Sequence, residues 1–243
     1  MSDDAVATLP PPLHERRGAI VLVHGAWVGE WSWLPVEPAL RVSGRPVHTV
    51  SLAGHGARSH ESGPHVDLDV HVRDVIGVIE TLDLVDVTLV GHSYGGRVIT
   101  RVVEQMPERV SSLVYLDAHT PVAEDSGQSP ERTAEAERHG GMLPFPSFYE
   151  PAPEIVGGPG GLDWFNSRLM PQSFACLTGD WIRDLPADVS KVFVFASGYE
   201  PSRFTQYAEF CEQDAAWEYH DLPGDHFLMF SHPADVARII LSA

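Results

Sequence analysis

The residues Gly91-His92-Ser93-Tyr94-Gly95-Gly96 lie between a β-branched run at 87–90 and a helical pattern at 94–105. A serine held on such a sharp strand-to-helix turn projects its hydroxyl above a sheet, and the N-terminus of the following helix favours negative charge beside it. The chemistry this predicts is nucleophilic acyl transfer with Ser93 as nucleophile. A serine hydroxyl needs a base, and Gly224-Asp225-His226 falls after the last apolar run and before a terminal helix, where a loop can return an imidazole to Ser93. His226 is the expected base, and His92, beside the serine but pointing elsewhere, is read as structural. Asp117 follows the run 110–116 and is the expected acid that holds the imidazole tautomer. The corresponding place after the next run reads Ala196-Ser197-Gly198-Tyr199-Glu200, without an aspartate, so Glu200 stays open as the alternative acid. The alternative role for Asp117 is a helix N-cap or an anchor for the inserted cap. Acyl transfer also needs two backbone N–H donors for the oxyanion, and the expected pair is Ala26, in the first loop after His24-Gly25, and Tyr94, directly after the nucleophile.

Positioning these groups requires a sheet. Short apolar runs at 19–23, 47–52, 87–90, 110–116, 192–196 and 217–222 read as strands. Between them, 33–42, 68–82, 94–105, 202–211 and 233–241 carry helical spacing or helix punctuation. This alternation predicts an α/β fold, a mostly parallel sheet with helices on both faces. The interval from about 118 to 190 is too long for an ordinary connection and predicts a cap inserted before the penultimate strand, with short helices around 131–138 and 167–177. Its aromatic residues either hold the cap together or line a pocket. The candidates for substrate contact are Trp27, Phe145, Phe148, Trp164, Phe165 and Phe227. Residues 1–17, polar and rich in proline, read as a flexible tail, leaving 18–243 as one domain.

The composition of 43% apolar and 21% charged residues suits a packed globular chain. With 16 basic and 34 acidic residues the net charge is −18, which repels nucleic acid and anionic membranes, so neither is an expected partner. A pocket can still carry a local field unlike the net charge. Cys176 and Cys211 read as reduced thiols, and no signal-like or membrane-length apolar stretch is present, which together predict a cytoplasmic location. His55, His60, His65 and His71 cluster in sequence without a tight ligand pattern, so no metal is expected. The partner expected is a small-molecule substrate, and a homodimer is compatible with the sequence although nothing compels one.

The motifs Val23-His24-Gly25-Ala26-Trp27, Trp31-Ser32-Trp33, Leu68-Asp69-Val70-His71, the Ser93 hexapeptide, Val114-Tyr115-Leu116-Asp117-Ala118 and Gly224-Asp225-His226 resemble the α/β-hydrolase superfamily from about residue 18 to the C-terminus. Within it they are similar to the branch of plant hydroxynitrile lyases, salicylate-type methyl esterases and small bacterial hydrolases. The resemblance implies a serine hydrolase without cofactor that cleaves a carboxylic ester or lactone of a small to medium, apolar or aromatic substrate. Lyases of that branch carry a threonine in the first loop and a lysine after the catalytic histidine; Gly25 and Phe227 at those places resemble the esterases instead. Plant relatives carry their acid after the later strand, a place without aspartate here, so that role is not carried over. The same fold also supports lyase, carbon–carbon hydrolase and cofactor-free dioxygenase chemistry, or ligand binding alone.

Overall fold

The computed structural model describes residues 18–122, 129–178, 181, 183–200 and 202–243. The flexible tail expected at 1–17 lies outside the described residues. Chain order runs β1 (Ile20–Val23), α1 (Glu37–Arg41), β2 (Val47–Val50), α2 (Leu68–Thr81), β3 (Val87–His92), α3 (Gly95–Gln105) and β4 (Val110–Leu116). The segment 117–189 then holds α4 (Pro130–Arg138), β5 (Met142–Leu143), α5 (Pro159–Asn166), β6 (Gln172–Ser173) and α6 (Ala175–Thr178). The chain closes with β7 (Ser190–Ala196), α7 (Thr205–Gln213), β8 (Glu218–Leu222), α8 (Leu228–Ser231) and α9 (Pro233–Ser242).

Six strands form one sheet in the order β2-β1-β3-β4-β7-β8, and every pairing is parallel. All four residues of β1 and all six of β3 are buried although successive side chains point to opposite faces, so both faces of the sheet are covered. The covering helices fall into groups in contact with one another, α1 with α9 and α2 with α3. This is the expected α/β architecture. The chain steps outward from β1 to β2 and returns across β1 to β3, so the order reverses between β1 and β3. In open parallel sheets the crevice outside the carboxyl ends at such a reversal is where ligands bind. The loops leaving β1 and β3 carry Ala26 and Ser93.

The six expected strands form with ends displaced by two residues or fewer, and the long helices over 68–82, 94–105 and 233–241 form as expected. Two expectations fail for the same reason. The helix expected over 33–42 is a 3₁₀ turn at Glu30–Trp33 followed by the short α1, because Pro35 cannot donate within a helix and Pro38 is tolerated only in the first turn. The helix expected over 167–177 is broken by Pro171, which also pushes Met170 out of the helical region. The cap helix instead runs over Pro159–Asn166, and Gln172–Ser173 pairs antiparallel with Met142–Leu143. Among the described residues no helix is long and apolar enough to cross a membrane.

Candidate active site

Ser93 sits on the turn between β3 and α3 with φ +53°, a left-handed conformation that is rare outside glycine. The turn is pinned by the neighbouring strand: Ser93 N donates to Leu116 O at 3.2 Å, and His119 N donates to Ser93 O at 3.1 Å. Flanking residues must be small because backbone approaches from both sides. A Cβ on Gly95 would lie 2.7 Å from Val23 O, and one on Gly96 would lie 2.1 Å from His119 O. Gly96→Ala must therefore displace the backbone that holds Ser93. It is expected to cost about 3 kcal/mol, the upper range for overpacking, and to lower activity with it, read by the urea midpoint and by turnover. An unchanged midpoint would mean that the 117–119 loop yields freely.

Asp117 leaves β4 with φ +41° and is fully buried. Its N–H donates to Val194 O at 2.7 Å, and its Oδ1 accepts from Ala196 N at 3.3 Å, so β7 fixes both ends of the residue. Its Oδ2 accepts from His226 Nδ1 at 2.7 Å and from the Tyr199 hydroxyl at 2.8 Å. That bond places the proton of neutral His226 on Nδ1 and leaves Nε2 as a free lone pair, the atom a base needs. His226 is held from other sides as well. Its ring stacks on Tyr149, with centroids 4.6 Å apart, and on Phe204 at 5.2 Å, while its carbonyl accepts from His92 Nε2 at 2.9 Å. Burial pushes the His226 imidazole well below its usual range, which keeps it neutral and able to accept a proton. Burial pushes the Asp117 carboxyl up, opposed by the hydrogen bonds from Tyr199 and Ala196.

Ser93 opens on a small cavity of about 20 Å³ that it shares with Ala26 and Tyr94. No acceptor among the described residues takes the N–H of Ala26 or Tyr94, so both are available to an oxyanion formed beside Ser93. A second cavity, of about 790 Å³, lies outside this one and does not include Ser93. Trp27, Arg132 and Arg203 line both and mark the throat between them.

Of the expected pocket residues, Trp27, Phe145 and Phe148 line the outer cavity. Trp164, Phe165 and Phe227 line neither cavity. Phe165 and Phe227 are buried against each other with centroids 5.0 Å apart, and Trp164 packs edge-on against Trp31, so these three join the 117–189 segment to the sheet domain. Glu200 is an exposed residue of the outer cavity wall, and the carboxylate bonded to His226 is that of Asp117. Cys176 and Cys211 are free and buried. His55 and His71, read as part of a polar loop, are buried too: His71 Nε2 donates to Ala53 O and Nδ1 accepts from the Tyr94 hydroxyl, each at 2.9 Å. Tyr199, Tyr149 and Phe204, the closest supports of the imidazole, were absent from the sequence-based set. Only Tyr199 had a signal, its place directly after the strand where an acid was sought.

The sequence profile of the alpha/beta hydrolase family matches residues 20–239. The chain is 35% identical to a carbendazim hydrolyzing esterase of Nocardioides sp. (strain SG-4G) over 90% of this chain and 96% of that protein. It is 32% identical to salicylic acid-binding protein 2 of Nicotiana tabacum over 57% of this chain and 56% of the other. Among solved structures, a methylesterase from Arabidopsis superposes with a TM-score of 0.74 at 22% identity, covering 93% of this chain and 98% of that one. A match through nearly the whole described sheet domain, with a relative of this similarity along its full length, establishes that the chain belongs to the alpha/beta hydrolase family.

Proposed function

We propose that this alpha/beta hydrolase is a carboxylic ester hydrolase working through an acyl-enzyme on Ser93, with His226 as base, Asp117 as acid, and the N–H groups of Ala26 and Tyr94 as oxyanion donors. The observation that carries this reading is the 2.7 Å bond from His226 Nδ1 to buried Asp117. It sets the tautomer that acyl transfer requires, in a site whose serine and N–H donors share one cavity. Ser93 Oγ attacks the ester carbonyl as its proton passes to His226 Nε2. The tetrahedral oxyanion is held by the two N–H groups, and the alcohol leaves with the proton from His226. Water, deprotonated by the same imidazole, then releases the acid. The outer cavity of about 790 Å³, walled by Trp27, Phe145, Phe148 and prolines 144 and 146, suits a small to medium apolar or aromatic ester or lactone. The esterase relatives support the same reaction class.

The test is a fluorophosphonate probe with a panel of aryl, methyl and lactone esters on wild type and Ser93→Ala. Labelling and turnover are expected in the wild type and both should vanish in the variant, a loss of about 10⁴-fold or more in kcat. Turnover that survives Ser93→Ala would remove the nucleophile assignment, and oxygen uptake or aldehyde release without acid formation would shift the reading to another reaction on this fold.

A further inference from the structure

The inner cavity differs in charge from the molecule around it. In a chain of net charge −18, its lining includes Arg97, Arg132 and Arg203 and contains no aspartate or glutamate. The outer cavity, in contrast, mixes signs: Arg132, Arg138 and Arg203 face Glu131, Glu135 and Glu200. Of the three inner arginines, Arg97 lines the inner cavity alone, and Arg132 and Arg203 stand where the two cavities meet. Arg97 is buried and donates to Leu177 O, so its guanidinium serves the wall itself. Arg203 is exposed and lines both cavities, with its guanidinium against the Tyr149 hydroxyl. Arg132 and Arg203 both lie at the throat, and both favour ionisation of the Tyr149 hydroxyl, whose ring stacks on His226, against the burial that disfavours it.

We propose that Arg203, with Arg132 beside it, is an anion-binding pair that selects esters carrying a carboxylate a few bonds from the scissile carbonyl. The proposal rests on the esterase reading of the same site. A guanidinium at the throat presents a planar fork of donors matched to a carboxylate. It offsets locally the repulsion that a strongly acidic protein exerts on an anionic substrate. The apolar body of the substrate then occupies the outer cavity against Trp27 and Phe145, the carbonyl enters beside Ser93, and the carboxylate is gripped between the two.

Two matched substrates test this: 4-nitrophenyl butyrate and the 4-nitrophenyl monoester of glutaric acid, which is the same acyl chain with a terminal carboxylate. Wild type is expected to favour the carboxylated ester by about tenfold or more in kcat/KM, in line with a charge-assisted hydrogen bond. Arg203→Gln should erase most of that preference, with the loss in kcat/KM on the carboxylated ester exceeding the loss on butyrate by about tenfold, and Arg203→Lys should keep part of it. Calorimetric binding of both esters to Ser93→Ala reads the anion site without turnover. Equal kcat/KM for the two esters in wild type, or equal losses on both in Arg203→Gln, overturns the anion site and leaves the esterase reading intact. No turnover of either ester, with tighter binding of the carboxylated one to Ser93→Ala, overturns the esterase reading and keeps the anion site.

Discussion

Asparagine in place of Asp117 is expected to lower kcat by about four orders of magnitude, the scale set by the wrong histidine tautomer in serine hydrolases, with KM little changed. The reason lies in the three donors around the carboxylate. His226 Nδ1 and the Tyr199 hydroxyl donate to Oδ2, and Ala196 N donates to Oδ1. An asparagine must put its NH₂ on one side. Facing Ala196 would oppose two donors, one of them a backbone group that cannot turn round, at a cost of about 1–3 kcal/mol for a buried unsatisfied group. Facing Tyr199 and His226 costs less, because a hydroxyl can accept and an imidazole can change tautomer. The asparagine then donates to Nδ1, the imidazole proton moves to Nε2, and no lone pair remains for the proton of Ser93. The ¹⁵N shifts of His226 should report this exchange of protonated nitrogen alongside the kinetic loss. A fall of less than a hundredfold would show that Asp117 is not the group orienting the base.

The second large effect is on stability. Five histidines are buried: His24, His55, His71, His92 and His226. Burial holds all of them neutral, with His24, His55 and His71 each lowered to about 3 and His92 and His226 also pushed down. The unfolded chain takes up a proton on each of them below its ordinary value of 6.5, and the folded chain does not. The stability associated with neutral burial is therefore complete above pH 6.5 and declines as pH falls from there toward about 3. Each group contributes a slope approaching 1.4 kcal/mol per pH unit. Asp117, raised by burial, works in the opposite direction and offsets about one of the five. Because the unfolded histidines are only half protonated at pH 6.5, each contributes about 1.7 kcal/mol between pH 6.5 and 5, and the net loss is on the order of 6 kcal/mol, within the range of a whole domain's stability. Urea midpoints at pH 7.5, 6 and 5 should fall steeply, with acid unfolding near pH 5. A midpoint constant across that range would require these histidines to gain protons in the folded state.

The strands, the nucleophile turn and the late histidine were legible because each is a local pattern: a β-branched run, small residues around a serine, and a loop before a proline-led helix. Asp117 was legible as one of two candidates, and only the docking of β7 against β4 brings its carboxylate to His226. The cap was legible as an interval and not as a structure. Its strands Met142–Leu143 and Gln172–Ser173 are two residues each, too short to show any period. The supports of the imidazole were hidden for another reason: Tyr199 and Phe204 share the loop between β7 and α7 while Tyr149 lies in the 117–189 segment, and they meet only in the folded chain. The sequence position of an aromatic side chain does not tell whether it faces a cavity or a neighbour, and Phe165 and Phe227 pack against each other.

Trp27, Ser93 and Asp117 leave β1, β3 and β4 in left-handed conformations, each costing about 1 kcal/mol or more for a residue other than glycine. Such turns persist only where long-range hydrogen bonds impose them, and those of Asp117 reach Val194 and Ala196, beyond the whole 117–189 segment. The order of synthesis gives this a meaning. As the chain leaves the ribosome, Ser93 emerges before the strand that fixes Asp117, and His226 emerges after it. On the proposed reading the nascent chain carries its serine without the geometry to use it until β7 has docked and His226 has followed.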